Sequence, residues 1–466
     1  MTRSESSSIN IEHLREKLLL TSNPSSLPTS CIFRVDKRIR KLNEDAYTPD
    51  TVSIGPYHRD AVRENLQMQD MEDVKWRYVK ALLDRTSETP SLESYVKALK
   101  ELQTDPRKCY SEPINSLNNK EENFLEMMLI DGLFIIELFR KCSHVVEVDD
   151  NDPIFNSKLR RTRIVRDLVL LENQIPMSVL EKLFGLSKCP KCDTFSLIEL
   201  ALNFFADLNG VKKYPQITNN THKHLLDLLS CTLLDGAPTE QDSSTEALVS
   251  LPCATELRRS GINFKASRNY KLLEINFDKG EFEIPTLCVD DYTDCFFRNL
   301  IAYEQQSFEG RHHITSYALL MDHLINTADD VALLIRRGII KNHLGDNGEV
   351  SSLFNNLCRE ISIDNKFCYN TRCKNLNDYY NWHCHKWIAN FKRKYCSSPW
   401  AILSVLAAIL LLFLTICSTV LSALPFFGVE EFIYMLDNGQ QAIGSIVGGI
   451  NATSSPRFAR VLGHHF

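Results

Sequence analysis

Cys189-Pro190-Lys191-Cys192 is a CxxC step, the spacing at which two thiols hold half of a zinc site or exchange a disulfide. A complete zinc site needs two further ligands. No second CxxC follows at a suitable distance, so the pair reads as loop cysteines. A richer set is Cys368, Cys373, His383, Cys384, His385 and Cys396, ligand types that suit zinc or copper. Around them stand Tyr379, Tyr380, Trp382 and Trp387, with Lys386 and the run Lys392-Arg393-Lys394. That mixture suits a helix lying at a membrane interface better than a metal site. Cys396, the last of the set, is a candidate for lipidation. Carboxylates gather as Asp290, Asp291 and Asp294, and again as Asp322, Asp329 and Asp330. Such groups can bind a divalent ion or serve as acid and base, but on amphipathic helices they more often cap N-termini or face water. Glu172-Asn173-Gln174 precedes Pro176 between two apolar helical segments, where polar side chains satisfy backbone groups left over at a helix break. His312 and His313 read as a surface pair.

Phosphate-loop, dinucleotide, serine-hydrolase and zinc-peptidase signatures are all missing: there is no GxxxxGK[ST], GxGxxG, GxSxG or HExxH. No catalytic, cofactor-binding or metal residue is therefore assigned, and no cofactor or small-molecule substrate is expected. A net charge of −6 and a pI near 6.1 supply no basic field for nucleic acid. Fifteen cysteines without framework spacing read as reduced thiols, many of them buried as small hydrophobes.

The elements that must position these residues are mostly helical. Ile164, Leu168 and Leu171 share a helical face, and Leu180, Leu183 and Phe184 resume one after Pro176. From Thr315 to Ile335 a single stripe carries Tyr317, Leu320, Met321, Leu324, Ala328, Val331 and Ile335. Within it Thr327-Ala328-Asp329-Asp330 resembles a capping box that splits the run into two helices, and Gly338 suits a C-cap. Leu273 to Ile284 differs: apolar and polar residues alternate about an Asp278-Lys279-Gly280 turn, the pattern of a β-hairpin ended by Pro285. Polar interruptions at Gln103–Glu122, His144–Pro153 and Asp235–Ser250 read as loops.

Ala401 to Leu424 carries no charge and as a helix would extend about 36 Å, against a hydrocarbon core of about 30 Å. It predicts a C-terminal transmembrane helix. Basic residues precede it and acidic ones follow, which places the bulk of a single-pass protein in the cytosol. No secretory signal is visible in residues 1–20, and the sequon at Asn451 is a candidate glycosylation site on a lumenal tail.

A series of ordered motifs carries a resemblance. Ile32-Phe33-Arg34-Val35, Ala46-Tyr47-Thr48-Pro49 and Val52-Ser53-Ile54-Gly55-Pro56-Tyr57-His58 open it. Met71-Glu72, Lys75-Trp76-Arg77-Tyr78 and Met128-Leu129-Ile130-Asp131-Gly132 follow, then Asp167-Leu168 with Leu171-Glu172-Asn173-Gln174-Ile175-Pro176. Phe297-Arg298-Asn299-Leu300-Ile301-Ala302-Tyr303-Glu304-Gln305 comes late, and Pro399-Trp400 leads into the apolar segment. Over residues 31–424 the chain resembles the plant family called domain of unknown function 247. The resemblance implies a land-plant protein with a C-terminal membrane helix and no established enzymatic activity. Some grass members of the family are linked to self-incompatibility recognition. Asp36 stands where the family commonly has proline, and the tail after Leu424 does not match the expected short ending.

The expected fold is mainly α, a large α-rich globular domain with a small β-hairpin and one C-terminal transmembrane helix. Its expected parts are a leader (1–30), the family domain (31–398), the membrane helix (399–424) and a divergent tail (425–466). The expected function is that of a non-enzymatic interaction, signalling or recognition module, bound to a membrane and to an unknown protein partner. Two alternatives stand beside it: a metal-dependent enzyme with an acidic site, and an extracellular recognition module of the self-incompatibility type.

Overall fold

The computed structural model describes residues 30–423 except 87–89, 113, 115–120, 189–194, 207, 209–220, 235, 239–249, 269–270, 308–311, 362–366 and 383–398. Two compact units divide the chain, residues 1–385 and 386–466. The first is built around one helix, α4 (Glu121–Cys142). Its residues Leu133 to Ile136, with Leu138 and Phe139, are apolar and fully buried. A helix hydrophobic on every side is stable only when other helices enclose it. Here α2 (Leu66–Thr86), α3 (Leu92–Lys100), α6 (Met177–Leu186) and α7 (Leu197–Phe204) do so. At Gly132 the approach of α6 is so close that a Cβ would lie 2.4 Å from Leu183 Cδ1. Before α2 the chain runs as a ribbon with little regular structure beyond one short helix, α1 (Lys37–Arg40), and brief 3-10 turns at Asp45–Tyr47 and Ala61–Arg63.

Helix α5 (Lys158–Leu168) precedes the Glu172-Asn173-Gln174 break; α8 (Leu225–Leu233) and α9 (Ala254–Arg259) follow α7. The remainder of the unit mixes small sheets with helices. Strands β2 (Asn276–Asp278) and β3 (Glu281–Pro285) form the expected hairpin, its turn residues Lys279 and Gly280 both at positive φ (45° and 84°), as a tight primed turn requires. The hairpin is shorter at its start than the alternation suggests: Leu273 and Ile275 are buried but precede the strand. Two features were not anticipated. Strand β1 (Asn263–Ser267) adds to β3 in parallel, and β4 (Leu287–Val289) pairs in parallel with β5 (Ile340–Asn342). Between them run α10 (Thr293–Gln306), α11 (His313–Leu324) and α12 (Ala328–Arg336). The break between α11 and α12 falls at the expected Thr327–Asp330 box, and Gly338 turns the chain at φ 73° after α12. Helices α13 (Asn347–Leu357) and α14 (Asn370–Asn381) close the unit.

The expected transmembrane helix requires correction. The segment is helical as α15 (Pro399–Ala423), yet among the described residues no helix is long and apolar enough to cross a membrane. Within α15 the hydroxyls of Thr415, Thr419 and Ser422 donate to carbonyls one turn back along the helix. The leader (up to residue 29), the tail beyond 423, Cys396, Asn451 and the 189–192 CxxC lie outside the described residues.

Candidate functional site

Residues 50–59 follow no regular element, so their backbone groups need partners from elsewhere. Buried side chains supply them. The Asp167 carboxylate at the end of α5 accepts the N–H groups of Asp50, Thr51 and Val52 at 3.1, 2.7 and 2.8 Å. Asn173 accepts from Ile54 N–H at 2.7 Å and donates to the Val52 carbonyl at 3.0 Å. Asp131 on α4 accepts from Gly55 N–H at 2.9 Å and pairs with the Lys75 ammonium of α2 at 2.6 Å, both side chains fully buried. Lys75 also donates to the Ser53 carbonyl. Gly55 must be glycine on two counts: φ is 73°, and a Cβ would sit 2.5 Å from the Gln174 carbonyl oxygen.

Gln174 and Asn173 thus act as expected on backbone groups, Gln174 Nε2 donating to the carbonyls of Leu168 and Leu170. Glu172 does more. Its buried carboxylate accepts the Val35 N–H at 2.8 Å and pairs with Arg40 at 2.6 Å and Arg34 at 3.2 Å, with His58 Nε2 at 3.3 Å. Burial opposes ionisation there, but the bonds from His58, Val35 and Arg40 outweigh it and hold the carboxyl near 2. Arg34 lies over the Tyr57 ring at 4.5 Å. The ribbon is thereby locked to the helical body through ions and amides rather than through a sheet.

This locking delivers Arg59 to the mouth of a cleft of ≈ 300 Å³ between α2 and α4. Arg59 pairs with Glu72 at 2.7 Å, and Glu72 also accepts from Lys75 at 2.7 Å. Trp76, one turn along α2 from Glu72, lines the cleft and is 50% exposed. From α4 come Glu126, Met127 and Ile130, and from the 3-10 turn Arg63, an exposed cation with no ion pair among the described residues. The ionisable groups of the lining are Asp60, Glu72, Glu126, Arg59 and Arg63. An exposed tryptophan flanked by arginine and methionine has the composition of a protein contact surface.

The acids singled out from sequence separate into different roles. Asp290, Asp291 and Asp294 do meet, around a second, more open cavity of ≈ 520 Å³ with Glu349, Arg298 and Arg359. Asp294 there pairs with Arg298 at 2.8 Å and accepts from Asn43, while Asp290 accepts from Thr293 Oγ1 and Tyr292 N–H at the start of α10. Asp330 caps: it accepts from the Thr327 N–H and hydroxyl and from the Thr255 N–H of α9. Asp322 and Asp329 do not line that cavity. Cys368 and Cys373 are buried, and the other members of their set lie outside the described residues. His312 and His313 start α11 and are half-buried rather than on an open loop. The cleft itself was missed. Lys75, Trp76 and Asp131 stood in quoted motifs, but which side chains would be buried and which exposed is decided by the packing of α2 on α4.

The profile of the family DUF247, described as a plant protein of unknown function, matches residues 32–414. The UPF0481 protein At3g47200 of Arabidopsis thaliana is 31% identical over 442 residues, covering 88% of this chain and 90% of that protein. A second Arabidopsis thaliana UPF0481 protein, At3g02645, is 23% identical over 487 residues, covering 83% and 89%. No solved structure matches the chain. Arg34, Lys75, Asp131, Asp167 and Glu172, which bind the ribbon to the helices, all fall inside the matched span. The chain belongs to the DUF247 family of plant proteins of unknown function.

Proposed function

We propose that the helical unit is a non-catalytic protein-binding module and that the cleft between α2 and α4 receives the partner. The observation that carries this reading is Trp76, half-exposed in the lining of a cleft whose Glu72 is tied to the buried Lys75–Asp131 pair. A lining held in place lowers the ordering cost of association, and tryptophan and arginine dominate measured contact energies. The fitting partner is a protein segment that lays an apolar side chain on Trp76 and offers a carboxylate to Arg63. Proximity labelling from the intact chain tests it, comparing wild type, Trp76→Ala, Arg63→Glu and the distant surface variant Leu92→Ala. Proteins labelled by wild type and Leu92→Ala should be lost from the other two. Affinity of the leading purified partner should fall at least tenfold in Trp76→Ala, about 1.4 kcal/mol or more. An identical labelled set in all four, or substrate turnover abolished by a carboxylate substitution at Asp290 or Asp294, overturns the reading.

A further inference from the structure

His222 is an anomaly. Its side chain is 1% exposed, yet among the described residues neither ring nitrogen has a hydrogen-bond partner. Burying an imidazole in that state is costly, and native interiors seldom leave it so. Asp227 Oδ2 lies 3.9 Å from Nδ1, too far for a hydrogen bond. Asp227 and Cys231 lie four residues apart on α8, hence on one face, and His222 enters just before that helix. The His222 nitrogen, the Asp227 oxygen and the Cys231 sulfur all lie within 4.8 Å of one another.

We propose that His222, Asp227 and Cys231 bind a divalent transition-metal ion of the zinc class. A tetrahedral ion with bonds of about 2.0–2.3 Å sets its ligand atoms about 3.5 Å apart, so atoms that lie within 4.8 Å of one another need to close by about 1.3 Å at most. One imidazole, one carboxylate and one thiolate form a borderline-soft set, which favours zinc over magnesium or calcium. The carboxylate is already oriented: Asp227 Oδ1 accepts from the Tyr303 hydroxyl of α10 at 2.7 Å, and Oδ2 accepts from Lys223 N–H at 2.9 Å. Such outer contacts fix a ligand before the ion arrives. Cys231 is only half-buried, which gives the ion an entry path and leaves a fourth position for water. As the sulfur–metal bond forms, the thiol releases its proton to solvent. The ion would join the stretch before α8 to α8 itself and, through Tyr303, to α10. The cleft at Trp76 shares no residue with this site, so each reading stands without the other.

The full-length protein, stripped with chelator and dialysed, is titrated with Zn²⁺ and separately with Co²⁺. Wild type should bind one equivalent of zinc and melt at a higher temperature with it. Cobalt should give a sulfur-to-metal charge-transfer band. Cys231→Ser, an exchange of one atom on a half-buried side chain, should lose that band and bind zinc at least tenfold more weakly. His222→Ala should weaken zinc at least as much, and Cys253→Ser should match wild type. Absence of stoichiometric zinc in wild type overturns the proposal. So does zinc bound with the same affinity in Cys231→Ser, whose fold is checked by circular dichroism.

Discussion

A lysine ammonium and an aspartate with no exposed side-chain surface face each other at 2.6 Å in this core, the ammonium being shared with Glu72 and the Ser53 carbonyl. Lys75 reaches Asp131 from α2, and Asp131 spends its second oxygen on Gly55 N–H. Breaking a buried pair from one side costs about 3–5 kcal/mol, whereas replacing both partners with apolar residues of similar volume is often close to neutral. Asp131→Ala should therefore lower unfolding free energy by about 3–5 kcal/mol in denaturant titrations. Lys75→Met combined with Asp131→Leu should cost clearly less than the sum of the single changes. Additive losses would show that the pair is not coupled. The motif residues were readable in the sequence, but the pairing was not. Lys75 and Asp131 stand 56 positions apart, and no local pattern reports which charges a fold will bury together.

Between α11 and α12 the chain breaks where a capping pattern stood in the sequence, and one carboxylate serves two helix starts. Asp330 accepts from Thr327 at the head of α12 and from Thr255 N–H at the head of α9. A lost N-terminal cap costs about 0.5–2 kcal/mol. Thr327→Ala should fall in the lower part of that range, and Asp330→Ala, which uncaps both helices, should cost more; thermal melts of the two variants compare them directly. Equal losses would mean that the α9 contact contributes nothing. Element identity was legible wherever one period dominated, as in the Thr315–Ile335 stripe and the hairpin turn at Lys279-Gly280. The parallel pairings of β1 with β3 and of β4 with β5 were not. Strands of three to five residues leave little period to read, and their partners are set by the intervening helices. The apolar period of α15 was legible too, but the span inferred from it was not found.

At the scale of the whole unit, two buried carboxylates tilt stability in opposite directions with pH. Glu172 has its carboxyl lowered to about 2, so its contribution is complete above the ordinary value near 4.5 and is lost as pH falls toward 2. Burial raises Glu304 to about 7, against the bonds it accepts from the Thr315 hydroxyl and the Ile314 and Thr315 N–H groups. The folded state then holds a proton that the unfolded state releases, and stability falls as pH climbs from 4.5 to 7. Melts at pH 3, 5 and 8 should place wild type highest near pH 5. Glu172→Gln should flatten the acid limb and Glu304→Gln should lessen the other, each by up to about 3 kcal/mol. Asp167, raised by burial to about 6, also contributes to that second limb. Limbs unchanged by either substitution would mean that both groups titrate normally.

The ribbon that precedes α2 has a temporal consequence. Its fastenings lie far downstream: Gly55 waits for Asp131, 76 residues on, and Arg34 for Glu172, 138 residues on. At synthesis rates of about 5–20 residues per second, Arg34 precedes its partner by on the order of ten seconds. Asn43 and Arg34 then wait for α10, with Asp294 251 residues beyond Asn43 and Gln306 272 beyond Arg34. Arg34 and Asn43, among the first residues of the domain to leave the ribosome, are thus among the last to acquire these contacts, and a nascent chain halted before residue 172 carries Arg34 without its Glu172 carboxylate.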